Sequence, residues 1–150
     1  MPQLAETLVV DASVAAKWHL TDEEYADKAT LILTRFAQGQ VELLAPDHIR
    51  YEVPSAITVA TRGRKPRITQ EQGKEAIEEF LALGLKTVSD GELILMAYLL
   101  VHQYGCALYD ALYLALAQRL TLPFVTADHK LYQRVKHLPD VLWIGDYGPR

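Results

Sequence analysis

The chain has one cysteine, Cys106, among its 150 residues. A single thiol excludes an intramolecular disulfide framework and a cysteine metal cluster. It fits a reducing, cytoplasmic setting, with Cys106 itself read as a small buried hydrophobe. Long apolar runs are missing too. The longest, Leu93 to Val101, has 9 residues, against the ~20 that a membrane helix needs. The opening Met-Pro-Gln-Leu-Ala-Glu carries no basic leader region, so no secretory signal is visible. Basic charge is in deficit: 15 Lys and Arg stand against 19 Asp and Glu, a net charge of −4. That argues against a surface coated in positive charge for nucleic acid. It leaves open a nucleic-acid enzyme, since four acids gathered around a divalent cation would account for the whole deficit. Absent as well are an H-E-x-x-H zinc spacing, a G-x-S-x-G elbow, a Walker A loop and a G-x-G-x-x-G fingerprint.

Half of the residues are hydrophobic and 23% are charged, which is globular usage. The length predicts one domain over residues 1–150, with no repeat or low-complexity linker. Short β-like runs alternate with helical ones. Thr7-Leu-Val-Val10 reads as a buried strand, followed by a helical stretch over 12–18. Thr21-Asp-Glu-Glu24 is a capping-box pattern, predicted to open a helix to about Gln38 with Gly39 as its stop. A strand over 41–45 precedes a helix from Pro46 to about Thr61, with Pro54 interrupting it. Helices over 69–83, from Ser89 or Asp90 to 104, over 109–120 and over 128–136 alternate with strands over 85–88, 123–126 and 141–144. This alternation predicts an α/β fold, a three-layer α/β/α sandwich around a mostly parallel sheet. In such sheets function lies beyond the carboxyl ends of the strands, where the strand order switches direction.

Asp11 directly follows the first strand, and Asp128 follows the strand over 123–126 after one alanine. Both fall at that carboxyl edge and near helix starts, where an N-cap role is the plain alternative. Asp110 opens Tyr109-Asp-Ala-Leu-Tyr-Leu-Ala-Leu-Ala-Gln-Arg-Leu120, and every residue between it and Gln118 is apolar or Tyr. A helix apolar on all faces is a buried one. A carboxylate carried beside the core must be paired, hydrogen-bonded, neutralised or metal-bound. Glu52 lies among apolar neighbours in His48-Ile-Arg-Tyr-Glu-Val-Pro-Ser-Ala-Ile57 and gains weight only in company. Converging carboxylates repel until some protonate or a cation binds. All-oxygen ligands suit Mg²⁺ or Mn²⁺, ions that activate water and stabilise a leaving oxygen.

These segments carry a resemblance. Val10-Asp-Ala-Ser-Val-Ala-Ala-Lys-Trp18, Tyr51-Glu-Val-Pro-Ser-Ala56, Tyr109-Asp-Ala-Leu-Tyr-Leu-Ala-Leu-Ala117 and Val125-Thr-Ala-Asp128 together resemble the PIN-domain family, and within it the VapC-type toxin ribonucleases of prokaryotic toxin–antitoxin pairs. The resemblance spans about residues 8–134. It implies a compact PIN-like α/β/α domain and RNA cleavage, as an endoribonuclease, dependent on Mg²⁺ or Mn²⁺. It implies that Asp11, Glu52, Asp110 and Asp128 form the acidic catalytic site, with Asp11, Asp110 and Asp128 holding the metal and Ser13 and Thr126 as neighbouring hydroxyls. It also implies a homodimer, silenced by a small VapB-type antitoxin. One departure is visible: three residues after the glutamate the look-alikes often carry Asn, and here stands Ser55, a shorter group that alters how Glu52 is oriented.

Arg62-Gly-Arg-Lys-Pro-Arg67 places four positive charges in six residues, with Gly and Pro marking a loop. It reads as an RNA phosphate contact through Arg62, Arg64, Lys65 and Arg67, or equally as a solvated connection between helices. Arg119, Lys130, Arg134 and Lys136 offer a basic rim near the last acid. Trp18 reads as a packing residue, and His129 as a surface histidine. Three other functions share parts of this pattern. An aspartate-based phosphatase wants a second aspartate two positions after Asp11, where Ser13 stands. A phosphorylatable receiver domain leaves Asp110 and Asp128 without a role. A non-catalytic module that binds RNA or protein has little reason to keep all four acids.

Overall fold

The computed structural model describes residues 5–149. Its centre is five strands: β1 (Glu6–Val10), β2 (Val41–Pro46), β3 (Lys86–Val88), β4 (Phe124–Thr126) and β5 (Val141–Trp143). They lie in the order β3-β2-β1-β4-β5, and every neighbouring pair is parallel. The consecutive residues Leu8, Val9 and Val10 are all fully buried. Successive strand side chains point to opposite faces, so β1 is covered on both.

The covering layers are α1 (Ala12–Ala15), α2 (Ala26–Ala37), α3 (Ile49–Ala60), α4 (Gln70–Ala82), α5 (Asp90–Tyr104), α6 (Leu108–Leu120) and α7 (His129–Val135). A 3₁₀ turn over Ala16–Trp18 extends α1, and another over Ile144–Asp146 follows β5. The expected three-layer sandwich is therefore observed. The helix read as buried from its all-round apolarity is α6. Every residue from Ala111 to Ala117 is buried, and the helix packs on β1, β2 and β4. Trp18 is a packing residue, its indole N–H donating to the Ala29 carbonyl at 2.9 Å.

The strand order fixes where a site can lie. From β1 the chain builds β2 and β3 to one side, then returns to place β4 and β5 on the other. The switch point is the pair β1 and β4, and the residues beyond their carboxyl ends are Asp11 and Ala127-Asp128.

Two local expectations need correction. The capping box at Thr21 does not form. Residues 21–25 are turns, and α2 begins only at Ala26. Arg67 pairs with Asp22 at 2.6 Å and with Glu23 at 3.1 Å, and Lys17 reaches Glu23 at 3.4 Å, so two of these acids are drawn into tertiary pairs. Tyr25 holds a left-handed φ of 63°, with its ring edge-on to Trp143 at 5.6 Å, which breaks the helical path just before α2. Nor does Pro54 interrupt its helix: α3 starts at Ile49, after Pro46 has ended β2, and runs through Pro54 to Ala60. An internal proline costs ~3 kcal/mol. Ile49, Val53, Ile57 and Ala60, all buried on one stripe of α3, offset it, since burying each large aliphatic side chain contributes ~1.5–3 kcal/mol. The carbonyl that loses its donor belongs to Arg50, an exposed residue that water can serve.

Candidate active site

Asp11 is both the residue after β1 and the N-cap of α1, accepting the Val14 N–H at 3.2 Å. Its carboxylate is nearly sealed from solvent, at 4% exposure. The Ser13 hydroxyl donates to Oδ1 and the Thr126 hydroxyl to Oδ2, each at 2.5 Å. The same two hydroxyls also accept backbone N–H groups, Ser13 from Ala127 at 2.9 Å and Thr126 from Asp128 at 3.1 Å. The ends of β1 and β4 are thus stitched together around one carboxylate. Burial pushes the Asp11 carboxyl up to about 7, against the pull of the Ser13, Thr126 and Val14 hydrogen bonds, and the negative Asp110 nearby adds to the rise. A carboxylate has about four acceptor positions. Three are taken here, leaving one on Oδ2.

Asp110, in the first turn of α6, and Asp128, the N-cap of α7, line one cleft of about 150 Å³. Asp128 accepts the Leu131 N–H at 3.0 Å. Desolvation first, then the charges of Asp128 and Glu52, raise the Asp110 carboxyl to about 6 against the opposing pull of His48. Asp11, Glu52, Asp110 and Asp128 therefore come from the starts of four helices to a common region, where Asp110 feels the charge of the other three. Lys130 and Arg134 of the expected rim line the same cleft.

Glu52 sits one turn into α3. Its Oε1 lies 3.3 Å from the donating Tyr113 hydroxyl and 2.5 Å from His48 Nε2, a charge contact whose N–H direction is out of line for a hydrogen bond. On its other side the His48 ring meets Asp90 Oδ1, Nδ1 to oxygen, at 3.0 Å. Burial draws the imidazole pKa down, but the two carboxylates at its nitrogens, Glu52 and Asp90, outweigh it, and the net shift is upward. The sequence marked Asp90 as a helix cap and Tyr113 as a packing residue, and placed neither of them nor His48 in the site. His48 stands four residues before Glu52, one helical turn away, and that spacing was the available signal. The spacing of 42 residues to Asp90 offered none.

The basic segment lies elsewhere. Arg62, Arg64, Lys65 and Arg67 are exposed in the α3–α4 connection, and none lines the cleft of Asp110 and Asp128. Arg67 departs from the expected RNA-contacting set, because its guanidinium is taken by Asp22 and Glu23. Among the described residues Arg62, Arg64 and Lys65 form no ion pair.

Among the described residues no group of three His, Cys, Asp or Glu side chains is placed to hold a metal ion by itself. Mg²⁺ keeps several waters and is held by one or two carboxylates, which Asp110 and Asp128 supply from one cleft, with an acceptor position spare on Asp11.

Comparison with known proteins decides the family. The PIN domain family matches residues 8–138. The chain belongs to the PIN-domain family. Ribonuclease VapC3 of Pyrobaculum aerophilum is 30% identical over 131 residues, 85% of this PIN domain chain and 93% of the relative. Among solved structures, a toxin–antitoxin complex from Klebsiella pneumoniae superposes with a TM-score of 0.62 at 15% identity, covering 90% of this chain and 95% of that one. Mycobacterium tuberculosis VapC20, described as a toxin that cleaves the sarcin–ricin loop, gives 0.59 at 13% identity over 80% and 87%. These structural likenesses bear on the PIN fold.

Proposed function

We propose that this PIN domain is a metal-dependent endoribonuclease, the toxin of a VapBC-type toxin–antitoxin pair. The observation that carries the reading is the cleft shared by Asp110 and Asp128 at the switch point of the sheet, with Asp11 and Glu52 within electrostatic reach. The 30% identical relative named as a ribonuclease supports it, as does the toxin–antitoxin company of the fold. Asp110 and Asp128 would hold Mg²⁺ or Mn²⁺, with Asp11 contributing its free acceptor position and Glu52 completing the acidic set. When bound, the ion lowers the pKa of a water and offsets charge on the scissile phosphodiester. Ser13 and Thr126 hold Asp11 in place and favour its charged form against burial, and the Lys130 and Arg134 side chains offer cationic contacts to the phosphate. Arg62, Arg64 and Lys65 extend the RNA contact along the backbone. Ser13 spends its hydroxyl on Asp11 and on the Ala127 N–H, so no acid/base group stands where an aspartate-based phosphatase needs one.

Two partners belong to this reading. The exposed Ile94, Leu95, Tyr98 and Leu99 of α5 supply an apolar face for a homodimer, and a small VapB-type antitoxin silences the enzyme. No single helix among the described residues is long and apolar enough to cross a membrane, in keeping with a cytoplasmic enzyme acting on RNA of the translation machinery. The test is RNA cleavage by partner-free protein with Mg²⁺, Mn²⁺ or EDTA, beside a folded Asp110→Asn variant. Cleavage that needs the ion and is lost in the variant is expected. A metal-independent melting temperature together with no cleavage of total cellular RNA overturns catalysis in favour of a binding-only module.

A further inference from the structure

We infer that His48, anchored by Asp90, is the positioning residue for Glu52, fixing Oε1 so that Oε2 alone is left for the acidic centre. The inference rests on the reading of Glu52 as part of that centre. Three observations carry it. First, His48 is buried, with a side chain 7% exposed, yet it has a carboxylate at each ring nitrogen. With a carboxylate held against each nitrogen, the ring cannot turn without losing one of the two contacts. Second, the anchor is itself held. Asp90 is the first residue of α5, where helix partial charge favours a carboxylate, and its Oδ1 also accepts the His48 backbone N–H at 3.3 Å. The ring is walled by Tyr113 at 4.8 Å and Tyr109 at 5.7 Å between centroids. Third, both recorded contacts of Glu52, from Tyr113 and His48, fall on Oε1, and no donor among the described residues reaches Oε2. Ser55, standing where the look-alikes often carry Asn, is exposed and gives Glu52 no hydrogen bond. In this chain the hold on the glutamate comes from one turn before it and not from one turn after it.

A carboxylate–imidazole pair behind a functional group fixes that group's orientation, and removing such a partner typically weakens metal affinity or activity by about 10–100-fold. The experiment is a double-mutant cycle between Asp90→Ala and Glu52→Gln. Two readouts are followed: the Mn²⁺ concentration giving half of the full melting shift, and kcat and KM for RNA cleavage. Asp90→Ala lies beyond His48 from Glu52 and removes the acceptor of the His48 ring and backbone N–H groups, so the EDTA-form melting temperature is expected to fall in both backgrounds and the Mn²⁺ shift is read relative to it. Asp90→Ala alone is expected to raise the Mn²⁺ midpoint and lower kcat by about 10-fold or more, with KM changed less than about 3-fold. In the Glu52→Gln background it is expected to add nothing, because the group it positions is gone. His48→Gln, which keeps a polar side chain beside Glu52 without the Asp90 partner, is expected to retain more kcat than His48→Leu. Additive effects across the cycle, with a normal wild-type Mn²⁺ shift, overturn the positioning role and leave the nuclease reading standing. No Mn²⁺ shift and no cleavage in the wild type overturn both.

Discussion

Thr126 and Asp11 are 115 residues apart in sequence, and the Thr126 hydroxyl donates to Asp11 Oδ2 at 2.5 Å from a position with no solvent exposure. The bond joins the last residue of β4 to the first residue beyond β1. It also supplies part of what keeps a sealed carboxylate ionised. Thr126→Val keeps the shape and removes the donor. A hydrogen bond to a charged group contributes about 1.5–3 kcal/mol; that loss applies only while Asp11 is charged, whereas losing the acceptor of the Asp128 N–H weighs equally at every pH. Urea denaturation of the metal-free protein is expected to show a deficit of that size for the variant at pH 8 and a smaller one at pH 5. Equal deficits at both pH values would count against a charge-assisted bond.

Asp11 also makes a signed prediction about the metal-free fold. Its carboxyl titrates near 7 when folded, raised chiefly by burial, against about 3.9 when unfolded. A raised folded pKa means stability fully present below the unfolded value and lost as pH climbs through the folded one. At about 1.4 kcal/mol per pH unit, ionising Asp11 unaided costs the apo fold on the order of 4 kcal/mol. Asn at this position still accepts the Val14 N–H and can donate to Thr126. Asp11→Asn is therefore expected to stabilise the apo protein above pH 7 by up to that amount, and to change little at pH 4, while abolishing cleavage. Denaturant midpoints for both proteins between pH 4 and pH 8.5 test it, and a variant less stable than wild type at pH 8 would sink the argument.

Metal binding must remove the same protons. With Asp11 near 7 and Asp110 near 6 in the empty site, both raised first by desolvation, an entering cation meets partly neutral carboxyls at mildly acid pH. Ligands have to be deprotonated to bind, so binding releases protons. The Mn²⁺ concentration needed for half of the melting shift is expected to fall steeply as pH rises from 5.5 to 7.5 and to level off above pH 8. Calorimetry in buffers of different ionisation enthalpy should find up to about two protons released per ion at pH 5.5 and almost none at pH 8.5. A pH-independent midpoint would detach the cation from these two acids.

Most of this architecture was legible in the chain because the signals were local. The apolar run before Asp11, the all-round apolarity of 111–117 and the Thr-x-Asp step after β4 each encode an element and its neighbour. Tertiary partners overrode two equally local patterns. Thr21-Asp-Glu-Glu24 has capping-box spelling, but Arg67 and Lys17 draw away Asp22 and Glu23. Pro54 is a helix breaker by type, yet the buried stripe of Ile49, Val53 and Ile57 carries α3 through it. His48 and Asp90 were silent for the opposite reason: nothing in a one-dimensional spacing announces that the start of α5 lands beside the start of α3.

The basic segment separates by partner. Arg67 is neutralised by two acids, whereas Arg62, Arg64 and Lys65 face solvent without an ion pair among the described residues. Each phosphate contact with single-stranded RNA adds about 0.7 to the slope of log affinity against log salt. Replacing Arg62, Arg64 and Lys65 together by Gln is expected to reduce that slope by about 2, with the Mn²⁺ melting shift untouched. Arg67→Gln is expected to leave the slope unchanged and to cost about 0–1 kcal/mol of stability as a partly exposed pair. A slope that falls only in Arg67→Gln would reverse the assignment.

The α5 face carries the last prediction. Leu95 is 74% exposed and Leu99 62%, with Ile94 and Tyr98 beside them, a stripe of large apolar side chains at helical spacing on one open surface. Contiguous apolar patches on a helix mark interaction sites, and a second copy of the chain offers the same stripe with two-fold self-complementarity. Leu95→Glu puts two like charges at the centre of such an interface and is expected to shift sedimentation from dimer to monomer at micromolar protein. The residue packs against nothing in the core, so the melting temperature of the monomer should stay within a few degrees apart from concentration dependence. Asp11, Glu52, Asp110 and Asp128 all come from one chain, so the monomer is expected to retain Mn²⁺ binding and cleavage per site. Loss of both on dissociation would mean that the partner copy completes the site, and a wild type already monomeric at high concentration would assign the stripe to the antitoxin instead.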